Sequence, residues 1–134
     1  MKFNAFKTTL PLVLAAAACT AHAGNLYVVC NANVTLQAAE MRDVFLGDKQ
    51  FAGTVKLQLA DNAAAQAEFL EKVMKMDASK YSTSWTKKSF RDGLSMPPVK
   101  GTDAEALDCA KRTPGACTYS TTAPGAGLTV IVKF

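Results

Sequence analysis

Short apolar runs alternate along this chain with segments in which apolar residues recur at helical spacing. Residues 25–31 form a nearly continuous apolar run rich in β-branched residues, which is typical of a buried strand. Residues 54–59 alternate between apolar and polar side chains, and this period of two predicts a half-buried strand. Two further strands are predicted at 116–120 and 128–134. The alternation limits the fold to one that combines strands with helices.

Helices are predicted in the segments between these strands. Apolar spacing predicts three of them, over 35–47, over 62–74, and from Asp77 or Ser79 to Phe90. Gly47 is expected to end the first helix in the left-handed conformation. A fourth, short helix begins at Thr102, because Thr102 and Glu105 have the spacing of a capping box. This order favours the α/β class, with a mixed β-sheet and helices on both of its faces.

Residues 1–23 have the pattern of an export signal. Two lysines precede a short apolar run, and Ala21-His22-Ala23 then has the small-residue pattern that signal peptidase recognises. We therefore expect a signal peptide at 1–23 and a single domain at 24–134, located in the periplasm. The apolar run is shorter than the ~20 residues that span a bilayer, so no stable membrane insertion is expected after cleavage. A lipoprotein attached through Cys19 is the alternative.

The composition of the expected mature domain excludes several classes of function. The whole chain has 15 Lys and Arg against 11 Asp and Glu, and two of the lysines precede the cleavage site. This small, scattered positive excess is too weak for nucleic-acid binding. The only histidine is His22, which a signal peptide would remove, so histidine-dependent catalytic and metal sites are not expected. We expect no enzymatic activity, no metal and no cofactor.

Three cysteines remain after export, at positions 30, 109 and 117, in a compartment that should be oxidising. They allow one disulfide by three pairings. We favour the pair Cys109 and Cys117, because the intervening Pro114-Gly115 turn could bring them within bridging distance, and we expect Cys30 to be buried in the first strand. The alternative is that all three are small buried apolar side chains.

The junction between the second predicted strand and the helix after it is the main candidate for a binding site. The first N–H groups of a helix have no intrahelical partner and can hold an anion. The candidate ligand-binding residues, which would act through their backbone, are Asp61, Asn62, Ala63, Ala64 and Ala65. Asp61 opposes this function, because its carboxylate can cap the helix and repels an anion. The alanines provide no hydroxyl, so a capped helix is the favoured interpretation.

Other side chains that could carry chemistry have simpler explanations. Tyr81, Trp85 and Phe90 could line a pocket, but aromatic side chains on a predicted helix are more typical of a core. Acidic residues such as Asp103 and Asp108 could form a carboxylate pair, but on an amphipathic helix they are expected on the solvated face. None of these residues therefore supports a catalytic site.

Several residues and short motifs occur in a recognisable order along residues 27–120. They are Asn31, Phe45-Leu46-Gly47, Phe69, Trp85, Phe90 with Gly93, Pro97-Pro98, and Thr113-Pro114-Gly115-Ala116 with Tyr119. In this order they resemble the periplasmic phosphate-binding-protein-like family, and specifically its short members described as phosphate ABC transporter substrate-binding protein. The resemblance implies a single lobe of the type II periplasmic-binding-protein fold. It also implies phosphate or another small anion as ligand, and a transporter or other envelope protein as partner.

The same resemblance implies that the ligand site is degenerate. In the lobe concerned, the family holds its ligand with an arginine that ends the second strand and a Ser-Gly-Thr that opens the next helix. Leu59 stands at the arginine position, and Ala63, Ala64 and Ala65 stand at the Ser-Gly-Thr. Two functions therefore remain open: a solute-binding component of phosphate uptake, and an envelope interaction protein that keeps the fold without binding a small ligand.

Overall fold

The computed structural model describes residues 24–134, so the expected signal peptide and the lipoprotein alternative at Cys19 lie outside the described residues. The strands are β1 (Tyr27–Asn31), β2 (Phe51–Ala52), β3 (Val55–Lys56), β4 (Gln58–Leu59), β5 (Asp61–Asn62), β6 (Val99–Lys100), β7 (Ala116–Ser120) and β8 (Leu128–Lys133). The helices are α1 (Met41–Phe45), α2 (Gln66–Phe69), α3 (Ala78–Asp92) and α4 (Asp103–Arg112). A 3-10 turn at Ala38–Glu40 precedes α1, and a π turn at Leu70–Met74 continues α2. In the described part, no helix has the length and apolar character needed to span a membrane.

Four strands form the main sheet, in the order β4-β7-β1-β8. β1 is antiparallel to both of its neighbours, whereas β4 runs parallel to β7. The sheet is therefore mixed, as predicted. Two smaller pairs flank it: β2 and β3 form an antiparallel hairpin, and β5 pairs with β6 in parallel.

Helices cover both faces of this sheet. Successive side chains of a strand point to opposite faces, so Val28 and Cys30 lie on one side and Val29 on the other. Val28 and Cys30 belong to a buried core with residues of α1, α2 and α3, including Phe45 and Phe69. On the opposite side α4 packs against β7 and β1 and buries its small residues Ala106 and Ala110. The predicted α/β class is therefore confirmed, while the type II lobe remains a prediction.

The disulfide joins Cys30 to Cys117, so the predicted pairing of Cys109 with Cys117 is wrong. Cys30 and Cys117 are direct partners across β1 and β7, with Cα atoms 4.1 Å apart. Cys109 lies on α4 as a half-buried free thiol. The physical reason is the alternation of side chains in β7: Cys117 points into the core on the face opposite to α4. A turn that brings α4 close to β7 therefore does not bring the two thiols together.

The predicted strand at 54–59 divides into β3 and β4 because the chain changes partners at Leu57. The Leu57 N–H donates to the Gln50 carbonyl at 2.9 Å, within the hairpin. The next N–H, of Gln58, donates to the Gly115 carbonyl at 2.9 Å and so joins the main sheet. The strands β2, β5 and β6 were not predicted, since two-residue strands leave no periodic pattern.

Three predicted helix ends are confirmed, but one aromatic position is wrong. Gly47 follows α1 with a φ of 75°, and Asp77 rather than Ser79 caps α3 by accepting a hydrogen bond from the Lys80 N–H at 2.8 Å. The Thr102 hydroxyl oxygen caps α4. Tyr81 and Trp85 are buried as expected. Phe90 is 89 % exposed, because it lies on the opposite side of α3 from the buried Tyr81 and Trp85.

Candidate functional site

The three alanine N–H groups of the predicted anion turn are occupied by protein acceptors. The Ala63 N–H donates to the Lys100 carbonyl at 2.8 Å, which extends the pairing of β5 with β6. The Ala64 N–H donates to the Asn62 side-chain oxygen at 3.0 Å. The Ala65 N–H donates to the Asn62 carbonyl at 3.1 Å. An anion at this turn would have to displace these bonds.

The helix after this turn also begins later than predicted. α2 begins at Gln66 rather than near Asn62, because Asp61 and Asn62 are held in a strand beside β6. Asn62 closes an Asx turn through the Ala64 N–H, so the short turn replaces the first helical turn. The backbone geometry expected of a helix N-terminus is therefore absent from residues 61–64.

Asp61 does not cap the helix, which corrects its predicted role. Its side chain is 0 % exposed and accepts hydrogen bonds from two tyrosine hydroxyls, those of Tyr81 on α3 and Tyr119 on β7. The Tyr119 ring is itself fixed by stacking on Phe69, with ring centroids 3.8 Å apart. The carboxylate therefore ties α3 and β7 together under the turn and is turned away from solvent.

The electrostatics of this buried cluster are unusual. Burial raises the pKa of Asp61 to about 6, although the hydrogen bonds from Tyr119 and Tyr81 act in the opposite direction. Burial also raises the pKa of both tyrosine hydroxyls above the ordinary value, and the Asp61 charge adds to this effect. The tyrosines therefore remain donors at any ordinary pH, and Asp61 is the group whose proton can change.

Asn62 and Asp103 extend the polar network to the next loop. The Asn62 amide donates to Asp103 at 2.7 Å and to the Tyr119 carbonyl at 2.9 Å. Asp103 also accepts from the Thr121 hydroxyl and N–H, and from the Thr122 hydroxyl at 2.9 Å. Partial burial raises the pKa of Asp103, but the bonds from Thr121, Asn62 and Thr122 lower it by more. The expectation that Asp103 is a solvated surface carboxylate is wrong: it fastens the start of α4 to the loop after β7.

Residues 61–65 thus lie beside the end of β7, but their polar groups bond to other protein groups rather than facing an open site. The side chains of Asp61, Asn62 and Asp103 all have protein partners, and two of the three are carboxylates. A phosphate would meet negative charge and would find no free backbone donor at Ala63, Ala64 or Ala65. The prediction of anion binding at this turn stays a prediction, and the geometry does not favour it.

A cleft of about 350 Å³ lies elsewhere, along the outer edge of β4. We call it the β4 cleft. It is bounded by the hairpin of β2 and β3, by β4, and by residues 93–95 after α3. Its apolar surface comes from side chains that include Leu57 and Trp85, and its polar surface includes Lys49 and Lys56. Among the described residues 24–134, no acidic side chain lines it.

Sequence reasoning did not single out the β4 cleft. Its lining residues come from segments that are far apart in the chain, so no motif or spacing joins them. One signal was present: the polar side of the predicted half-buried strand carries Lys56 and Gln58, and both line the cleft. This pattern does not predict which other segments lie opposite Lys56 and Gln58, so it does not predict a cleft.

Neither a metal-binding cluster nor a match to a known protein points to a further site in residues 24–134. Within residues 24–134, no group of three or more His, Cys, Asp or Glu side chains is arranged to hold a metal ion. No protein-family model matches the chain, and no curated protein matches it either. The resemblance to periplasmic phosphate-binding proteins therefore stays a prediction from the sequence.

Proposed function

We propose that this chain is an exported, non-enzymatic protein of the solute-binding type, whose turn at 61–65 no longer holds phosphate. The observation that carries the proposal is the β4 cleft, a concave, ligand-sized space. Two lysines line it, and no acidic residue in the described part of the chain does. The resemblance to the phosphate ABC transporter substrate-binding proteins supports the solute-binding class. A transporter or another envelope protein would then receive the ligand.

Export to the periplasm is part of the proposal. The residue pattern at 1–23 supports it. The disulfide between Cys30 and Cys117 is consistent with it, because disulfides persist in oxidising compartments. Mass spectrometry of the protein isolated from the periplasm tests this step. A mature N-terminus at Gly24 is expected, and a lipid-modified N-terminus at Cys19 would support the lipoprotein alternative instead.

Isothermal titration calorimetry of the protein comprising residues 24–134 tests phosphate capture. We expect no saturable heat at millimolar phosphate, because the donors of Ala63, Ala64 and Ala65 are occupied. Sulfate is the control anion, since it has similar size and geometry. Saturable micromolar binding of phosphate would show that the turn opens to receive it, and the argument from its hydrogen bonds would be wrong.

The second candidate is an envelope interaction protein that keeps the fold without a small ligand. The exposed aromatic side chains of Phe90 and Phe51 favour it, because they are 89 % and 50 % exposed. A photo-crosslinking residue at Phe90 should then trap an envelope protein, whereas the same residue at Lys111 on α4 should not. Equal trapping at both positions would indicate nonspecific contact and contradict this candidate.

A further inference from the structure

The β4 cleft has the size of a small-molecule site. Its volume of about 350 Å³ lies at the lower end of the range, about 300 to 1,000 Å³, that is usual for ligand pockets. It opens beside the edge strand β4 of the main sheet, and within residues 24–134 this strand has a neighbour, β7, on one side only. A ligand there would meet both side chains and exposed backbone.

Positive charge is the main electrostatic feature of the cleft. Lys56 forms no ion pair with any residue of the described range 24–134. Lys49 contacts Glu40 at 3.6 Å, a loose and exposed pair that contributes little. The nearby Lys88 is already neutralised by Asp48. Two ammonium groups therefore remain for an acid group of a ligand.

Neutral donors stand beside these lysines. Gln50, Gln58 and Ser95 line the cleft with amide and hydroxyl groups. The N–H groups of Gln58 and Ala60 donate toward β7, at 2.9 and 3.0 Å. Since successive strand amides point in opposite directions, the N–H of Leu59 points away from β7, on the side of the edge that the cleft borders. A bound acid group could accept hydrogen bonds from this edge.

The apolar wall is rigid. The Trp85 indole N–H donates to the Phe45 carbonyl at 3.1 Å, which fixes the ring, and Trp85 is buried and lines the cleft. Leu57 and Leu94 complete this surface. An inorganic anion would leave the apolar wall uncovered, so the ligand that fits best has an apolar body as well as an acid group.

We propose that the β4 cleft binds a small organic anion, a carboxylate or a phosphate monoester, whose acid group contacts Lys56 and Lys49 and whose apolar body lies against Leu57 and Trp85. The inference rests on the proposed solute-binding function and names the site and the chemistry of the ligand. The proposed site is not the turn at 61–65, which lies beside carboxylates, but the β4 cleft, which is lined by lysines.

Trp85 makes the proposal testable, because it is the only tryptophan of the chain and it lines the cleft. We would titrate the protein with benzoate and with phenyl phosphate while exciting Trp85 selectively. Inorganic phosphate is the control that lacks the apolar body, and benzyl alcohol is the control that lacks the acid group. We expect the fluorescence of Trp85 to change saturably with at least one of the two organic anions and with neither control. The compound that binds more tightly identifies the preferred acid group.

Two matched charge variants locate the acid group. Lys56→Gln should weaken the binding about tenfold, the loss expected for one charge-assisted contact. Lys111→Gln, which removes a lysine on α4, should leave it unchanged. Neither substitution should change the melting temperature, because both side chains are exposed.

The outcomes separate this inference from the proposed function. No response of Trp85 to benzoate or phenyl phosphate at millimolar concentration would overturn the inference, as would equal binding by the Lys56→Gln variant. If calorimetry nevertheless detects saturable heat with either compound, the solute-binding function stands and the ligand binds elsewhere. If neither measurement detects binding, both proposals fail, and the interaction protein becomes the better interpretation.

Discussion

The Tyr81 hydroxyl lies 2.9 Å from both carboxylate oxygens of Asp61, and both side chains are buried. The Tyr119 hydroxyl reaches the same carboxylate from β7, also at 2.9 Å. Within residues 24–134 this carboxylate forms no ion pair. In the described structure its charge is stabilised by neutral hydroxyls, and its protonation therefore affects the stability of the fold.

The stability of the protein should depend on pH through Asp61. Its pKa is about 6 in the folded state and about 3.9 in an unfolded chain. Between these values the folded state holds more protons than the unfolded state, so the free energy of unfolding falls as pH rises. The contribution is fully present below pH 3.9 and is lost above pH 6, and the difference amounts to at most about 3 kcal/mol.

Urea unfolding of the native protein and of Asp61→Asn between pH 4 and pH 7 measures this effect. The asparagine amide is neutral at every pH in this range. The contribution of Asp61 is therefore the pH dependence of the difference in free energy of unfolding between the two proteins. Other groups, such as Asp103 with its lowered pKa, cancel in that difference. A difference that stays constant from pH 4 to pH 7 would show that Asp61 titrates normally.

Removal of either tyrosine hydroxyl should destabilise the fold at neutral pH. Tyr81→Phe and Tyr119→Phe each leave the buried carboxylate with one donor fewer, which should cost roughly 1.5 to 3 kcal/mol. Each variant should also move the pH dependence to higher pH, because these bonds lower the pKa of Asp61. Tyr27→Phe is the control, since its hydroxyl makes no hydrogen bond within the described chain. Unfolding curves at several pH values report both effects, and a loss of stability without the pH shift would contradict the assignment.

The disulfide should make a large contribution to stability. Cys30 and Cys117 are separated by 87 residues, and closing a loop of this length should stabilise the protein by roughly 4 to 5 kcal/mol in the chain-entropy account. The double variant Cys30→Ala, Cys117→Ala should lose this amount in chemical unfolding. Cys109→Ser, which removes the half-buried free thiol, is the control and should change stability little.

A peptide map of the unreduced protein provides a second check on the pairing. The linked peptide should contain Cys30 and Cys117, and Cys109 should react with an alkylating reagent. A dominant peptide that links Cys109 to Cys117 would instead require a different register between β1 and β7.

Gly115→Ala should destabilise the turn before β7. Gly115 has a φ of 81°, which an L side chain rarely adopts, and a Cβ atom there would collide with the Lys56 carbonyl oxygen. The backbone on both sides of the contact is fixed by the bond from Gln58, so a loss of about 1 to 3 kcal/mol is expected. Gly125→Ala is the matched control, since open space surrounds that position. Equal melting temperatures of the two variants would refute the prediction.

Local patterns in the sequence are sufficient to predict the longer elements. The apolar run at 25–31 predicts β1, and the capping spacing of Thr102 and Glu105 predicts α4, because both signals depend on residues adjacent in the chain. Gly47 ends α1 for an equally local reason, since glycine adopts the left-handed conformation without strain. From these elements the α/β class follows directly.

Only the tertiary structure decided which elements and side chains contact one another. The disulfide depends on which face of β7 Cys117 occupies, and the role of Asp61 depends on two tyrosines that approach from α3 and β7. The β4 cleft likewise arises where the hairpin, the sheet edge and the end of α3 meet. The sequence by itself determined the longer strands, the order of the helices and the caps at Gly47, Asp77 and Thr102, because periodicity and capping act over a few residues. It did not determine the two-residue strands or the start of α2, which depend on pairing with distant segments. The long-range pairing of strands and the packing of helices determined the disulfide, the buried carboxylate and the cleft, because burial and register depend on residues that are distant in the chain.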